Sequence, residues 1–234
     1  MQLAPRKSSA RGHLCSLLLL CLCLGLFHPA RAQAEGPDNE LWLDQNFFLT
    51  LSPKTTLHLH LVERFNQNVS KFFQGYAALG LQWEVTDWLR LTPRYRHQRE
   101  NPFGFAGEQV IEHRPQFDIE LHRRWGPWGA ILRTRFAWRQ IEHRPGFLRI
   151  RLRPQVQLSL PLAWKRPPAV FVSEEIFYEF GDVDKLNRNR LRAGISFPVS
   201  AHLTLAPYYM VESKSLPGGW DHDNVWGLTL GWRF

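Results

Sequence analysis

The sequence predicts an all-β fold, an antiparallel up-and-down transmembrane β-barrel of about 10–12 strands with twelve favoured, behind a segment that is removed. Three observations lead there. From about Glu40 to the end, apolar and polar side chains alternate with a period of two, and no apolar stripe at helical spacing runs beyond a couple of turns. Connections alternate between short and long. The last strand alternates cleanly and stops on Phe234.

Composition frames this reading. The chain has 234 residues, 44% hydrophobic and 21% charged, and a mean hydropathy of -0.32. That is too polar for a bundle of membrane helices and too apolar for disorder. Residues 1–34 have the parts of a secretory signal peptide: Arg6, Lys7 and Arg11 in front, an apolar run from Leu14 to Phe27, and small residues at Ala30, Ala32 and Ala34. Cleavage there leaves 35–234 as an outer-membrane β-barrel domain. Four of the 29 basic residues leave and none of the 21 acids, so the net charge falls from +8 to +4. Cys15, Cys21 and Cys23 leave too, which excludes disulfides, thiol chemistry and cysteine-ligated zinc from the remaining chain. None of the three stands where lipoprotein processing needs it.

Taken in order, strands are expected near 40–51 and 56–65, then over 73–84, where Phe73, Ala77, Leu79, Leu81 and Trp83 oppose Gln74, Tyr76, Gly80, Gln82 and Glu84. After Val85–Asp87, Leu89, Leu91, Pro93 and Tyr95 oppose Arg90, Thr92, Arg94 and Arg96. Phe117, Ile119, Leu121 and Trp125 then oppose Glu112, Arg114, Gln116, Asp118, Glu120 and Arg124. Leu132, Thr134, Phe136 and Trp138 oppose Arg133, Arg135 and Arg139; Leu148, Ile150, Leu152, Val156, Leu158 and Leu160 oppose Arg149, Arg151, Arg153, Gln155 and Gln157. Further strands are expected near 169–180, 189–197, 203–212 and 224–234. Short connections fall at Ser52–Thr55, Val85–Asp87, Gly126–Gly129 and Pro198–His202; longer ones fall at Asn66–Lys71, Arg99–Val110, Gly181–Arg188 and Ser213–Asp223. The direct count is eleven. Single-chain bacterial barrels normally have an even number, so one strand near the N-terminus is expected to be split or irregular.

A soluble sandwich would alternate in the same way, and the aromatic positions separate the two. Trp83, Trp88, Trp125, Trp128, Trp164 and Trp232, with Phe234, cluster beside the shorter connections or at the chain end, where one aromatic girdle of a membrane barrel would lie. Phe65, Phe73, Tyr95, Trp138, Tyr178 and Tyr209 suit the opposite girdle. The final strand, with Trp226, Leu228, Leu230, Trp232 and Phe234 on one face, looks like the signal read by the outer-membrane barrel assembly machinery. The expected place is the bacterial outer membrane, with its lipid and that machinery as partners.

A barrel with its apolar face to lipid must line its lumen with the charges, since a mid-membrane Lys or Arg facing lipid costs about 2–4 kcal/mol. The expected lining is Arg90, Arg94, Arg96, Arg114, Arg124, Arg133, Arg135, Arg139, Arg149, Arg151, Arg153, Arg190 and Arg192, against Glu112, Asp118, Glu120, Glu175 and Glu179. Neighbouring strands then allow arginine–carboxylate ladders. Two readings of this lining stand, a narrow porin-like pore whose surplus arginine favours anions or a closed, salt-bridged interior of a structural or ligand-binding barrel, with an outer-membrane hydrolase a weaker third. Strict alternation would turn Glu174 to lipid unless a bulge near Ser173–Ile176 or a different phase of the strand intervenes. The segments Ile111-Glu112-His113-Arg114-Pro115 and Ile141-Glu142-His143-Arg144-Pro145 repeat. They are expected at equivalent strand ends, as a repeated way of starting a strand or as a Glu-His-Arg cluster at the mouth.

Leu79-Gly80-Leu81, Glu112-His113-Arg114-Pro115, Ser173-Glu174-Glu175-Ile176-Phe177-Tyr178, Asn187-Arg188-Asn189-Arg190-Leu191 and Tyr208-Tyr209-Met210 resemble the bacterial family filed as domain of unknown function twenty-four ninety. The resemblance covers most of the chain from Leu41. It implies an outer-membrane-type barrel and no catalytic or binding residue. No cofactor, metal or catalytic residue is expected: His58 and His60 share a face without a serine on it, and inward carboxylates among arginines are unsuited to general-acid work. Arginines that alternate along strands form no nucleic-acid patch.

Overall fold

Eleven strands follow one another in a computed structural model that describes residues 38–100, 110–181, 185–216 and 218–234. They are β1 (Asn39–Ser52), β2 (Thr55–Asn66), β3 (Lys71–Glu84), β4 (Leu89–Glu100), β5 (Val110–Trp125), β6 (Trp128–Ile141), β7 (Phe147–Ser159), β8 (Ala169–Phe180), β9 (Lys185–Pro198), β10 (Leu203–Leu216) and β11 (Gly219–Arg233). The expected signal peptide lies outside the described residues, as does most of the loop Arg99–Val110.

Each strand pairs antiparallel with the next, and β1 closes the barrel by pairing parallel with β11. The favoured count of twelve is therefore corrected to eleven. Eleven strands are joined by ten reversals, and an even number leaves the first and last strands pointing the same way, so closure requires a parallel ladder, here from Asn39↔Asn224 to Phe48↔Arg233. Parallel pairing is slightly weaker per residue than antiparallel. It still satisfies two strand edges that would otherwise be open. The chain end locks the seam: Phe234 N donates to Phe48 O at 2.8 Å and Thr50 N donates to Phe234 O at 3.0 Å.

The alternation of the sequence becomes two surfaces. Leu79, Leu81, Phe117, Leu132, Leu152, Val172 and Leu191 are exposed on the outer face, whereas Arg94, Arg114, Asp118, Arg135, Glu175 and Glu212 are buried in the interior. No bulge interrupts Ser173–Ile176: Ser173↔Arg192, Glu174↔Leu191 and Glu175↔Arg190 run in register, and the shift falls later, between Phe177 and Tyr178. Glu174 keeps its phase and stays outward, where Asn189 Nδ2 donates to it at 2.8 Å.

Connections at one end, called the turn end, are 53–54, 85–88, 126–127, 160–168 and 199–202; those at the other, the loop end, are 67–70, 101–109, 142–146, 181–184 and 217–218. Two differ from expectation. Segment 160–168 is the longest at the turn end, and its prolines 161, 167 and 168 lack the donors a ladder needs. At the loop end the expected loop Ser213–Asp223 is a hairpin paired out to Leu216↔Gly219. Its side chains are polar on both faces, but ladder hydrogen bonds need only backbone, so the strands continue past the apolar band.

One part of the interior is apolar. Trp42, Phe171, Tyr208, Met210 and Val225 cluster on the inner wall. Glycines allow this packing: a Cβ at Gly227 would overlap the Tyr208 ring, and one at Gly194 would come within 2.7 Å of the Phe171 ring. Tyr208 lies flat there and donates to Asp44 Oδ2 at 3.1 Å. Gly227→Val is therefore expected to displace Tyr208 and destabilise the barrel by about 1–3 kcal/mol. The midpoint of thermal unfolding should fall; an unchanged midpoint would show that Tyr208 moves freely.

Candidate functional site in the lumen

Period two brings the even-numbered residues of β1, β2, β3, β4, β5, β10 and β8's odd-numbered ones to one interior, and the barrel walls remove most of its water. A buried charge needs a partner, because leaving it unpaired is strongly unfavourable. At the loop end Glu112 meets that need twice. It accepts from Arg114 Nε and Nη2 at 2.7 and 2.6 Å, and from Arg139 Nε and Nη2 at 2.6 and 2.8 Å. Arg139 also reaches Glu179 at 3.1 Å, and Arg149 pairs with the same carboxylate. On the other side Glu212 binds Arg190 at 2.5 Å, Lys214 at 3.0 Å and Arg188 at 3.2 Å. Lys214 also bridges Glu40 and Asp223.

These groups form a packed layer. Glu112 is 2% exposed, Gln98 and Glu212 each 1%. Aromatic faces hold further guanidinium groups: Arg96 lies 3.4 Å from the Tyr76 ring centre and Arg64 lies 3.5 Å from that of Trp42.

Toward the turn end the packing loosens into a cavity of about 520 Å³. Its upper part holds Asp118, bound by Arg135 at 2.5 and 2.6 Å and by Arg94 at 3.8 Å, and Glu175, shared by Arg190 at 3.2 Å and by Arg133 and Arg151 at 3.5 Å each. Thr56, His202 and Arg233 line it near the turns. Arg90 lies there too, bonded to Glu84 at 2.5 Å and Glu120 at 2.7 Å. Among its described lining residues ten arginines face five carboxylates, so the recess carries a positive excess. Its histidines are engaged: His60 Nε2 bonds Asp44 at 3.0 Å, and His58 bonds Asn46 at 2.9 Å and Arg94 at 3.0 Å.

Of the lumen residues expected from sequence, Arg90, Arg94, Arg96, Glu112, Arg114, Asp118, Glu120, Arg133, Arg135, Arg139, Arg149, Arg151, Arg153, Glu175, Glu179, Arg190 and Arg192 lie on the interior face, in two regions instead of one. Arg124 is exposed beside the turn, at the end of β5 where only β6 still pairs with that strand, and it does not line the cavity. The repeated segment is no mouth cluster. Glu112 and Arg114 point inward, while His113 is exposed and bonds the Tyr95 hydroxyl at 2.5 Å. The second copy is a turn: Glu142, His143 and Arg144 are exposed, His143 has φ +62°, and Glu142 Oε2 accepts from Ile111 N at 3.0 Å. The same letters differ in structure because the second copy follows a strand and must reverse the chain within five residues.

Trp83, Trp88, Trp125, Trp128, Trp164 and Phe234 are exposed at the turn end, and Trp232 stacks on Phe47 there. At the loop end Tyr95, Trp138 and Tyr178 are exposed. A bulge in β3 opposite Arg64 and Phe65 brings Phe72 outward, edge-on to Phe65. Sequence reasoning missed Glu40, Asp44, Arg64, Arg188, Glu212, Lys214, Asp223 and Arg233. Continuing the period of two through Tyr208, Met210, Glu212 and Lys214 would have found the most important of them.

Residues 39–223 match the family described as "Protein of unknown function (DUF2490)". The chain belongs to that family. No curated protein matches it. Among solved structures, the siderophore receptor PirA from Pseudomonas aeruginosa is similar at 12% identity with a TM-score of 0.31, over 74% of this chain and 34% of the receptor. The chain thus spans about a third of that receptor's length, and so loose a likeness says nothing of what this family member does.

Removing Glu112 tests the packed layer. Glu112→Ala leaves Arg114 buried without its carboxylate and Arg139 with Glu179 alone, with an expected loss of about 3–5 kcal/mol. Glu84→Gln, at a half-exposed pair whose arginine keeps Glu120, is expected to change stability by less than about 1 kcal/mol. Urea midpoints of the folded barrel measure both; equal losses would contradict the division into a packed layer and a recess.

Proposed function

We propose that the protein is an outer-membrane β-barrel, exported behind a cleaved signal peptide, whose lumen is closed on the loop side and holds a solute in a recess open toward the turn end. The observation that carries this reading is the division of the interior. None of Glu112, Arg114, Arg139, Arg149, Glu179 or Glu212 lines the cavity, and within the layer each carboxylate is bound by two or more cations, while Arg114 and Arg139 each grip Glu112 with two nitrogens. Of the two readings drawn from the sequence, a closed salt-bridged interior or an anion-favouring pore, the layer favours the first.

The membrane setting is supported by the outward face. Exposed Leu, Val and Phe side chains recur along the strands, bordered by exposed Trp and Tyr at both ends, which is the pattern of a face turned to lipid. Lipid and the barrel assembly machinery are the partners this face and the final strand suit. The reading includes no catalysis. The nearest approach to a catalytic pair is the cross-strand contact of Ser213 Oγ with His222 Nδ1 at 2.9 Å, exposed at the loop end, and no carboxylate among the described residues is bonded to that imidazole.

Refolded protein in planar bilayers is expected to show no steady current at any voltage, together with heat-modifiable migration on gels and insolubility without detergent. Discrete single-channel openings would replace the closed lumen with the pore. A monodisperse detergent-free chain would remove the membrane reading altogether.

A further inference from the structure

Within the recess the excess of arginine is concentrated on one stretch of wall. Arg133 on β6 and Arg153 on β7 are directly opposite in the ladder. Arg192 on β9 joins them across β8, where Gln155 pairs with Ser173 and Ser173 with Arg192. Like charges directly opposite one another destabilise a sheet unless something of the other sign lies between them. Here little does. Arg153 makes no hydrogen bond or ion pair among the described residues, and its Nε is buried without a partner. The two hydrogen bonds of Arg192 go to neutral oxygens, Ser173 Oγ at 3.2 Å and Gln155 Oε1 at 3.3 Å. Arg133 has only a 3.5 Å contact with Glu175, a carboxylate that Arg151 and Arg190 share.

The surroundings are those of a binding site. Arg151, more than nine-tenths buried, has its one carboxylate contact at 3.5 Å, and Arg94, equally buried, keeps an unpartnered Nε; both line the recess. Next to Arg192 the wall turns apolar, with the Phe171 and Tyr208 rings each 5.1 Å from its guanidinium. The volume lies within the range of about 300–1,000 Å³ typical of small-molecule sites. Guanidinium forks match the planar pairs of oxygens on carboxylates and phosphates.

We infer that the recess binds a multiply charged oxyanion, a polycarboxylate or a phosphate, held by Arg133, Arg153 and Arg192 and admitted from the turn end. The inference rests on the closed-lumen reading above and names what the recess takes. The bound anion supplies the negative charge that this wall lacks.

Calorimetric titration of the refolded chain in detergent at low salt tests it, with citrate and pyrophosphate as separate probes and sodium chloride as the reference. At least one probe is expected to bind at one site per chain, more weakly as ionic strength rises. The tighter probe distinguishes the carboxylate source from the phosphate one. Arg153→Gln and Arg192→Gln are each expected to weaken binding about tenfold or more, and Arg124→Gln, at the exposed turn, to leave it unchanged. Arg153→Gln is also expected to raise the urea midpoint of the ligand-free barrel, because it removes an unpaired charge; an arginine kept for structure would lower it. Binding by neither probe, or undiminished binding in both glutamine variants, overturns the inference. Heat-modifiable migration shows that the preparation is folded, and bilayer recordings of it separate the two readings: a folded, non-conducting barrel that binds neither anion fails the inference alone, whereas channel openings fail the closed lumen.

Discussion

The ladder between β1 and β11 is what the rest of the molecule depends on. Without it the sheet would have two open edges, and its interior would be one face of a curved surface in contact with water. With it, every strand has two neighbours and the interior becomes an enclosed volume. Enclosure is what turns an ordinary alternation of side chains into an electrostatic problem. Residues that would be hydrated on an open sheet are removed from water, and each must find a partner across the lumen or along the wall.

The solutions differ along the axis. Near the loops, carboxylates are placed between guanidinium groups, as Glu112 is between Arg114 and Arg139 and Glu212 between Arg190 and Lys214. Where carboxylates run short, aromatic faces take over, as under Arg96 and Arg64. Toward the turns neither device suffices. There the cross-strand pair Arg133↔Arg153 stands without a short carboxylate contact, in the part of the interior that is not filled. Lack of packing and lack of negative charge coincide, which is why the recess reads as a place for something else. Burying charge of one sign without compensation is unfavourable enough that it is seldom kept without a use.

Much of the fold was legible because a strand's period is two and has no competitor in this chain. The face of nearly every residue from Gln74 to Arg192 followed from its parity. Strand ends were less legible. Ser213–Asp223 looks like a loop because its side chains are polar on both sides, yet backbone pairing carries the hairpin through it. The number of strands was countable as eleven, and the preference for twelve came from the habit of other barrels, which no residue here enforces. Parity names a face, but it does not tell which residues meet across the lumen. Asp118 with Arg135 could be expected from adjacent strands, whereas Tyr208 with Asp44 and Lys214 with Glu40 lie at opposite ends of the chain and become neighbours only through closure. For the same reason the split into packed layer and recess was not readable. It depends on how far each arginine extends into a space whose width the sequence does not state.

The odd strand count also separates the two ends of the described chain. Asn39 begins β1 at the loop end and Phe234 follows β11 at the turn end, because the two strands run side by side in the same direction. Barrels with even counts bring both ends to one rim, where a short linker suffices to join them. Here a linker would have to run the length of a strand, on the order of 40 Å for a dozen residues. Circular permutation, tolerated where termini are close, is thus closed to this barrel. Anything fused ahead of Asn39 and anything fused behind Phe234 would stand at opposite rims.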